Sequence, residues 1–198
     1  MFYKKEKREK LALFKGIAKA IQKIMEVREP FTAAHQLRVG KIARAIAVEM
    51  GLSAFQQEII EIGGMIHDIG KITLPASILW KKSPLSEEEL IRMRTHPLVG
   101  YEILKDIKFP PQVYQVVLQH HERLDGSGYP EGIKGNSIAF EAKIVAVADV
   151  IEAMSSPRPY RKTPGIKAAI EEIEKGEGVL YDSDVVEAAI RVIAKMKL

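Results

Sequence analysis

All five histidines of this chain of 198 residues stand where they could coordinate a metal: His35, His67, His96 and the adjacent pair His120 and His121. Asp68 follows His67 directly, Lys71 comes three residues later, and Asp149 interrupts the apolar run AKIVAVADV at 142–150. Imidazoles and carboxylates form a nitrogen and oxygen donor set for transition metals, and the chain has no cysteine to add a thiolate. Five imidazoles and two carboxylates are more than one tetrahedral ion needs. They match two ions that share one bridging carboxylate.

A lone histidine on an apolar helix face is ordinarily a satisfied core residue, so the weight lies on the set. His35 precedes Val39 by one turn and points with the buried stripe of its helix. His120 continues the line Val113, Val116 and Val117, and Asp149 continues Ala142 and Val145. An inward carboxylate is costly unless it is paired or coordinated. Adjacent helical residues project about 100° apart, so His67 and Asp68 reach one point only from a helix end, which Gly70 supplies. Lys71 can stand beside the ions without binding them; the plainer alternative is an i,i+3 ion pair with Asp68.

The elements that must carry these residues read as helices. Residues 5–28 place Phe14, Ile17, Ala18, Ile21, Ile24 and Met25 on one stripe. Pro30 ends that segment, and Thr32 is expected to cap a second helix that Gly51 stops. Ser53 with Gln56, and Ser86 with Glu89, spell capping boxes. His96-Pro97 and Pro110-Pro111 open further helices, because proline suits a first turn. A glycine-rich loop at 122–136 precedes a helix from about 139 to 154, a Pro/Arg loop at 156–164, and two amphipathic helices split by Gly176 and Gly178. No stretch alternates with period two. The expected fold is an all-α helical bundle over 30–198, preceded by a basic amphipathic helix at 1–29 of separate character.

The 46% hydrophobic share suits a fold with a real core, and no apolar run is long enough for a membrane span. A charged N-terminus without a signal-peptide core, and the missing cysteines, make the cytoplasm the expected compartment. The net charge of +4 is uneven: residues 1–29 hold nine Lys/Arg against four Glu. The basic character therefore belongs to the first helix, read as a solvated face rather than a surface for long nucleic acid.

The segments EPFTAAHQLRV at 29–39, HDIGKITLP at 67–75, HHERLDGSGYP at 120–130, GIKG at 132–135 and RPYRK at 158–162 together resemble the HD-GYP family of the HD phosphohydrolase superfamily. The likeness spans roughly residues 27–195. It implies a glycine-rich GYP loop on an HD helical bundle, and a phosphodiesterase that hydrolyses cyclic di-GMP to pGpG, in some members on to GMP. It implies one ion held by His35, His67, Asp68 and Asp149. The other would be held by His96, His120 and His121, with Asp68 bridging. Lys71 would face the scissile phosphate, and Arg158 and Arg161 would grip ligand phosphates. Members with three metals carry a glutamate where this chain has Phe31, so two divalent ions are expected. Iron or manganese suits the donor set best, with zinc, nickel and cobalt compatible.

A hydroxide bridging the two ions would attack phosphorus in line with the departing 3′ oxygen. Arg123, Lys134 and Tyr129 on or beside the GYP loop are candidate substrate contacts, though a tight surface turn or a docking face for a diguanylate cyclase domain also explains the loop. Trp80 reads as packing with a wet edge, or as part of a lid. The family usually follows a sensor or receiver domain, so such a partner is expected, and the 5–28 stripe could pair with a second copy. Two other functions keep the same metals: hydrolysis of another cyclic dinucleotide or nucleotide, and a receptor that binds cyclic di-GMP without turnover.

Overall fold

The computed structural model describes residues 2–156 and 163–196. Its helices are α1 (Phe2–Arg28), α2 (Pro30–Glu49), α3 (Ala54–Ile66), α4 (Ala76–Leu79), α5 (Glu87–Met93), α6 (His96–Leu104), α7 (Pro111–Gln119), α8 (Phe140–Ser155), α9 (Ile166–Lys175) and α10 (Ser183–Met196). Short 3-10 turns at Ile69–Thr73 and Gly135–Ser137 complete the order. There is no strand among the described residues beyond one isolated bridge between Glu177 and Tyr181.

Two apolar clusters hold the bundle. One joins α2, α8 and α10 through Val39, Ile46, Ile144, Val147, Ile151, Val185 and Ala189. The other joins α1, α3, α6 and α7 through Ala18, Met25, Ile59, Ile62, Leu104, Val113 and Val117. Burial of these side chains, each worth about 1.5–3 kcal/mol for the larger aliphatics, is what sets the helices side by side. Helix α2 lies against both α3 and α8, and so connects the two halves.

Both capping boxes form as the spacing predicts, at Ser53 with Gln56 and at Ser86 with Glu89. Two expectations are corrected. Thr32 lies inside α2, because Pro30 itself takes the first turn and Glu29 stands at the cap position. On α1, Ala18, Ile21 and Met25 face the body, with Phe14 packed against the same cluster, whereas Ile24 is 56% exposed. Only part of its apolar periphery fits between α2 and α3.

Candidate metal centre

Five of the seven predicted donors, His67, Asp68, His96, His120 and His121, sit at a helix end. His67 closes α3 and Asp68 starts the following 3-10 turn. His96 opens α6, and His120 closes α7 with His121 one residue beyond. His35 lies in the second turn of α2, and Asp149 in α8 faces it. A helix that stops at His67 turns the next side chain back toward the same point, which is how two neighbours share one site. Gly70 contributes by close approach: a Cβ there would run into the backbone of His96 and Gly100, so its absence lets α6 close on the 3-10 turn.

Asp68 is almost wholly buried and divides its carboxylate between two groups. Its Oδ2 lies 3.4 Å from His67 Nε2 and 3.9 Å from His35 Nε2. Its Oδ1 lies 3.0 Å from His96 Nε2 and 3.7 Å from His120 Nε2. Asp149 Oδ1 closes the first group, 2.9 Å from His35 Nε2 and 3.9 Å from His67 Nε2. His121 joins Asp68, His96 and His120 in the second group. The seven predicted metal donors thus come together, and Lys71 Nζ donates to Asp68 Oδ2 at 2.6 Å.

The imidazoles are held by their other nitrogens. Nδ1 of His67 donates to Gly64 O at 2.7 Å, that of His96 to Met93 O at 2.7 Å, and that of His120 to Val117 O at 2.9 Å. His35 Nδ1 donates to the buried Glu152 carboxylate, which also accepts from Arg38 Nε. The carbonyl partners fix the tautomer of His67, His96 and His120 and leave their Nε2 atoms as lone pairs aimed inward. Gln36, with its amide oxygen turned toward Asp68, accepts from the Asp68 backbone N–H at 3.2 Å.

That geometry fits cations. His96 Nε2 and His120 Nε2 face each other at 3.2 Å although both Nδ1 atoms are already donors. His67 Nε2 and Asp68 Oδ1 are buried without a hydrogen bond of acceptable geometry. Orphaned buried polar atoms are rare and call for a partner. Burial takes His120 down to about 4, and burial with the neighbouring His120 takes His121 well below the ordinary imidazole range, so both rings are neutral at physiological pH. Burial opposes charge on Asp68, but Lys71 and His67 hold it well below the usual carboxylate range. Burial likewise opposes charge on His35, yet hydrogen bonds to Asp149 and Glu152 raise it to about 9, so a cation there displaces a proton.

The GYP loop buttresses the second group. Gly128 packs so closely on the 121–123 backbone that a Cβ would stand 2.5 Å from Arg123 N and 2.5 Å from Glu122 Cα. Tyr129 N then donates to His121 O at 3.2 Å, and the Tyr129 ring stacks on His121 at 4.6 Å. The buried Glu122 accepts from Glu131 N at 2.8 Å and Gly132 N at 3.2 Å, tying the loop's far side. Arg123 is engaged with the Glu122 carbonyl at 2.8 Å and the Tyr181 ring at 5.2 Å. Lys134 is exposed, with its stem over Gly126. Trp80 is half exposed, and its indole N–H donates to the buried Glu29. Arg158 and Arg161 lie outside the described residues.

The residue that sequence reasoning passed over is Glu152. Its signal was there: it follows Asp149 by three residues on a helix, and so shares that face. Burial opposes its charge, but His35 pulls it down to about 2. Glu152→Gln is expected to keep the fold and weaken metal binding by about 10–100-fold, the scale on which outer carboxylates act. Metal titration of the chelated protein measures it.

The profile of the HD domain family matches residues 19–185, and the chain belongs to that family. It is 40% identical over 97% of its length to the cyclic di-GMP phosphodiesterase response regulator RpfG of Xanthomonas campestris, and covers 50% of that protein. It is 39% identical over 89% of its length to a cyclic di-GMP phosphodiesterase of Thermotoga maritima, and covers 48% of it. The chain thus spans about half the length of these curated relatives. Among solved structures, Bd1817, an HDG"Y"P protein from Bdellovibrio bacteriovorus, superposes with a TM-score of 0.70 at 17% identity, over 93% of this chain and 64% of that one. The HD domain of Listeria monocytogenes PgpH in complex with cyclic-di-AMP gives 0.62 at 20% identity, over 90% and 95%. These two likenesses establish the HD-type helical fold.

Proposed function

We propose that this chain is a metal-dependent phosphodiesterase of the HD-GYP type that opens cyclic di-GMP to pGpG, with GMP as a further product. The observation that carries the reading is the divided carboxylate of Asp68, one oxygen to each group of converging Nε2 atoms. His35, His67, Asp68 and Asp149 would hold one divalent ion, and His96, His120 and His121 the other, with Asp68 shared. Iron or manganese suits these donors best. When bound, such a pair supplies Lewis acidity to a phosphate oxygen and brings the pKa of water near neutrality.

The chain's own residues do the rest. The Nδ1 tethers hold the rings so that no reorientation is needed during reaction. Lys71 is part-exposed at the end of its ion pair, so its ammonium can serve a phosphate oxygen while still touching Asp68. Tyr129 walls the His121 side. Burial, with Asp68 and Asp149, pushes its phenol above the ordinary range, so it stays a neutral donor. Water oxygen bonds to phosphorus, the P–O3′ bond breaks, and the 3′ oxygen leaves as a hydroxyl after taking a proton. The relatives named for cyclic di-GMP support the substrate. A 35% identical relative from Vibrio cholerae, a 3'3'-cGAMP-specific phosphodiesterase matching 74% of this chain, supports a second reading in which the ring is a mixed dinucleotide. No helix among the described residues is long and apolar enough to cross a membrane. The exposed Leu13, Ile24 and Val27 on α1 support pairing with a second copy.

Chromatography of cyclic di-GMP incubated with iron- or manganese-loaded protein tests the reading. Linear pGpG is the expected product; ligand held intact by fully loaded protein means a receptor instead. Lys71→Met is expected to keep both ions and lose about a hundredfold in turnover, comparable to removing one preorganised donor.

A further inference from the structure

Lys71 accounts for one phosphate, but a cyclic dinucleotide carries two. The second needs a cation at the rim whose charge is not already spent. Arg158 and Arg161, which the family resemblance assigns to ligand phosphates, lie outside the described residues; among the described ones, Arg123 is folded into the Glu122 carbonyl and the Tyr181 ring, and the stem of Lys134 packs over Gly126. Arg94 differs. It ends α5, two residues before His96, and its side chain is exposed. Its guanidinium carbon stands 5.5 Å from the centre of the Tyr129 ring. That ring in turn stacks on His121 and sits 6.3 Å from His96. Among the described residues no carboxylate pairs with Arg94, so its forked donors face solvent one ring away from the second group of histidines.

We propose that Arg94 is a substrate-positioning residue that holds the phosphate not being cut. Resting on a Tyr129 ring that is itself clamped to His121, the guanidinium is oriented before substrate arrives. A planar fork is the group best matched to a phosphate's paired oxygens. The assignment rests on the cyclic dinucleotide reading above and adds to it the contact that separates a two-phosphate ring from a simple diester.

The test compares steady-state hydrolysis of cyclic di-GMP with that of bis(p-nitrophenyl) phosphate, a diester with a single phosphate, by the metal-loaded protein. Arg94→Ala is expected to raise KM for cyclic di-GMP about ten- to a hundredfold, the scale of a lost charge-assisted hydrogen bond, with kcat changed far less. The increase should be confined to the dinucleotide, and Arg94→Lys should recover part of it through its point charge. Arg92→Ala, two residues earlier on α5 and exposed, serves as the surface control. An unchanged KM for cyclic di-GMP in Arg94→Ala overturns the assignment alone. So does an equal KM rise for both substrates or a loss of bound metal, since either makes Arg94 only a prop for Tyr129. Wild-type protein that cleaves the simple diester but not cyclic di-GMP overturns the functional reading and this assignment with it.

Discussion

Asp68→Ala is expected to yield a folded protein that binds neither ion tightly and has lost cyclic dinucleotide hydrolysis by about a thousandfold or more. The reason is its position, not only its charge. Each of its oxygens serves a different histidine group, so one substitution removes a donor from both. Lys71 loses its partner as well, but it is part-exposed and can turn to solvent. Neither apolar cluster includes Asp68, so the helices have their own reason to stay packed. Elemental analysis, circular dichroism and product chromatography on one preparation settle the matter. Asp68→Asn separates shape from charge: it keeps the volume and should still fail to hold two ions. Variants that retain two ions and turnover would mean that Asp68 does not bridge.

Gly128→Ala is the second large effect expected, and it contains no donor at all. The added methyl would meet three backbone atoms of the 121–123 segment, including Arg123 N and Glu122 Cα at 2.5 Å each. Backbone cannot swing away as a side chain tip can, so the loop must back off by about 1 Å to reach ordinary contact distance. That movement breaks the Tyr129 N–His121 O bond and slides Tyr129 off the His121 ring. A misplacement of this size costs about a hundredfold in a site that works by positioning. The variant should also melt at a lower temperature and bind the second ion less tightly than the first. Ser127→Ala, one residue earlier and exposed, should leave both properties near wild type. Normal turnover in Gly128→Ala would show the GYP loop to be a surface turn without influence on the histidines.

The convergence of these histidines and aspartates was legible in the sequence because such side chains are expensive to bury singly. Histidine and aspartate at inward helix positions need a partner, and helix stops after Ile66 and Gln119 let neighbours converge. Capping boxes were legible because they are local. What lay hidden depends on contacts far apart in the chain. Glu152 meets His35 across 117 positions, and nothing in either segment names the other. The object Gly128 makes room for, the backbone of residues 121–123, is not one the sequence names. Thr32 looked like a cap since its hydroxyl suits one; the proline two residues earlier had already taken the first turn. The inward face of α1 was half legible: the stripe was right in kind, but which flank meets α3 is decided by packing, which left Ile24 outside.

The anchoring of the rings by main-chain oxygens bears on how this site can vary among descendants. Met93 and Val117 hold their imidazoles through atoms that every amino acid possesses, so mutation at those positions keeps the acceptor; Gly64 also uses its carbonyl, but a Cβ there would stand 2.8 Å from the Gly40 Cα and push α2 and α3 apart. His35 is anchored by a side chain, Glu152, and His121 is stacked by another, Tyr129. Under the two-ion reading proposed above, substitution at Glu152 is therefore a route to retuning the group beside Asp149, and substitution at Tyr129 a route to retuning the group that includes His121.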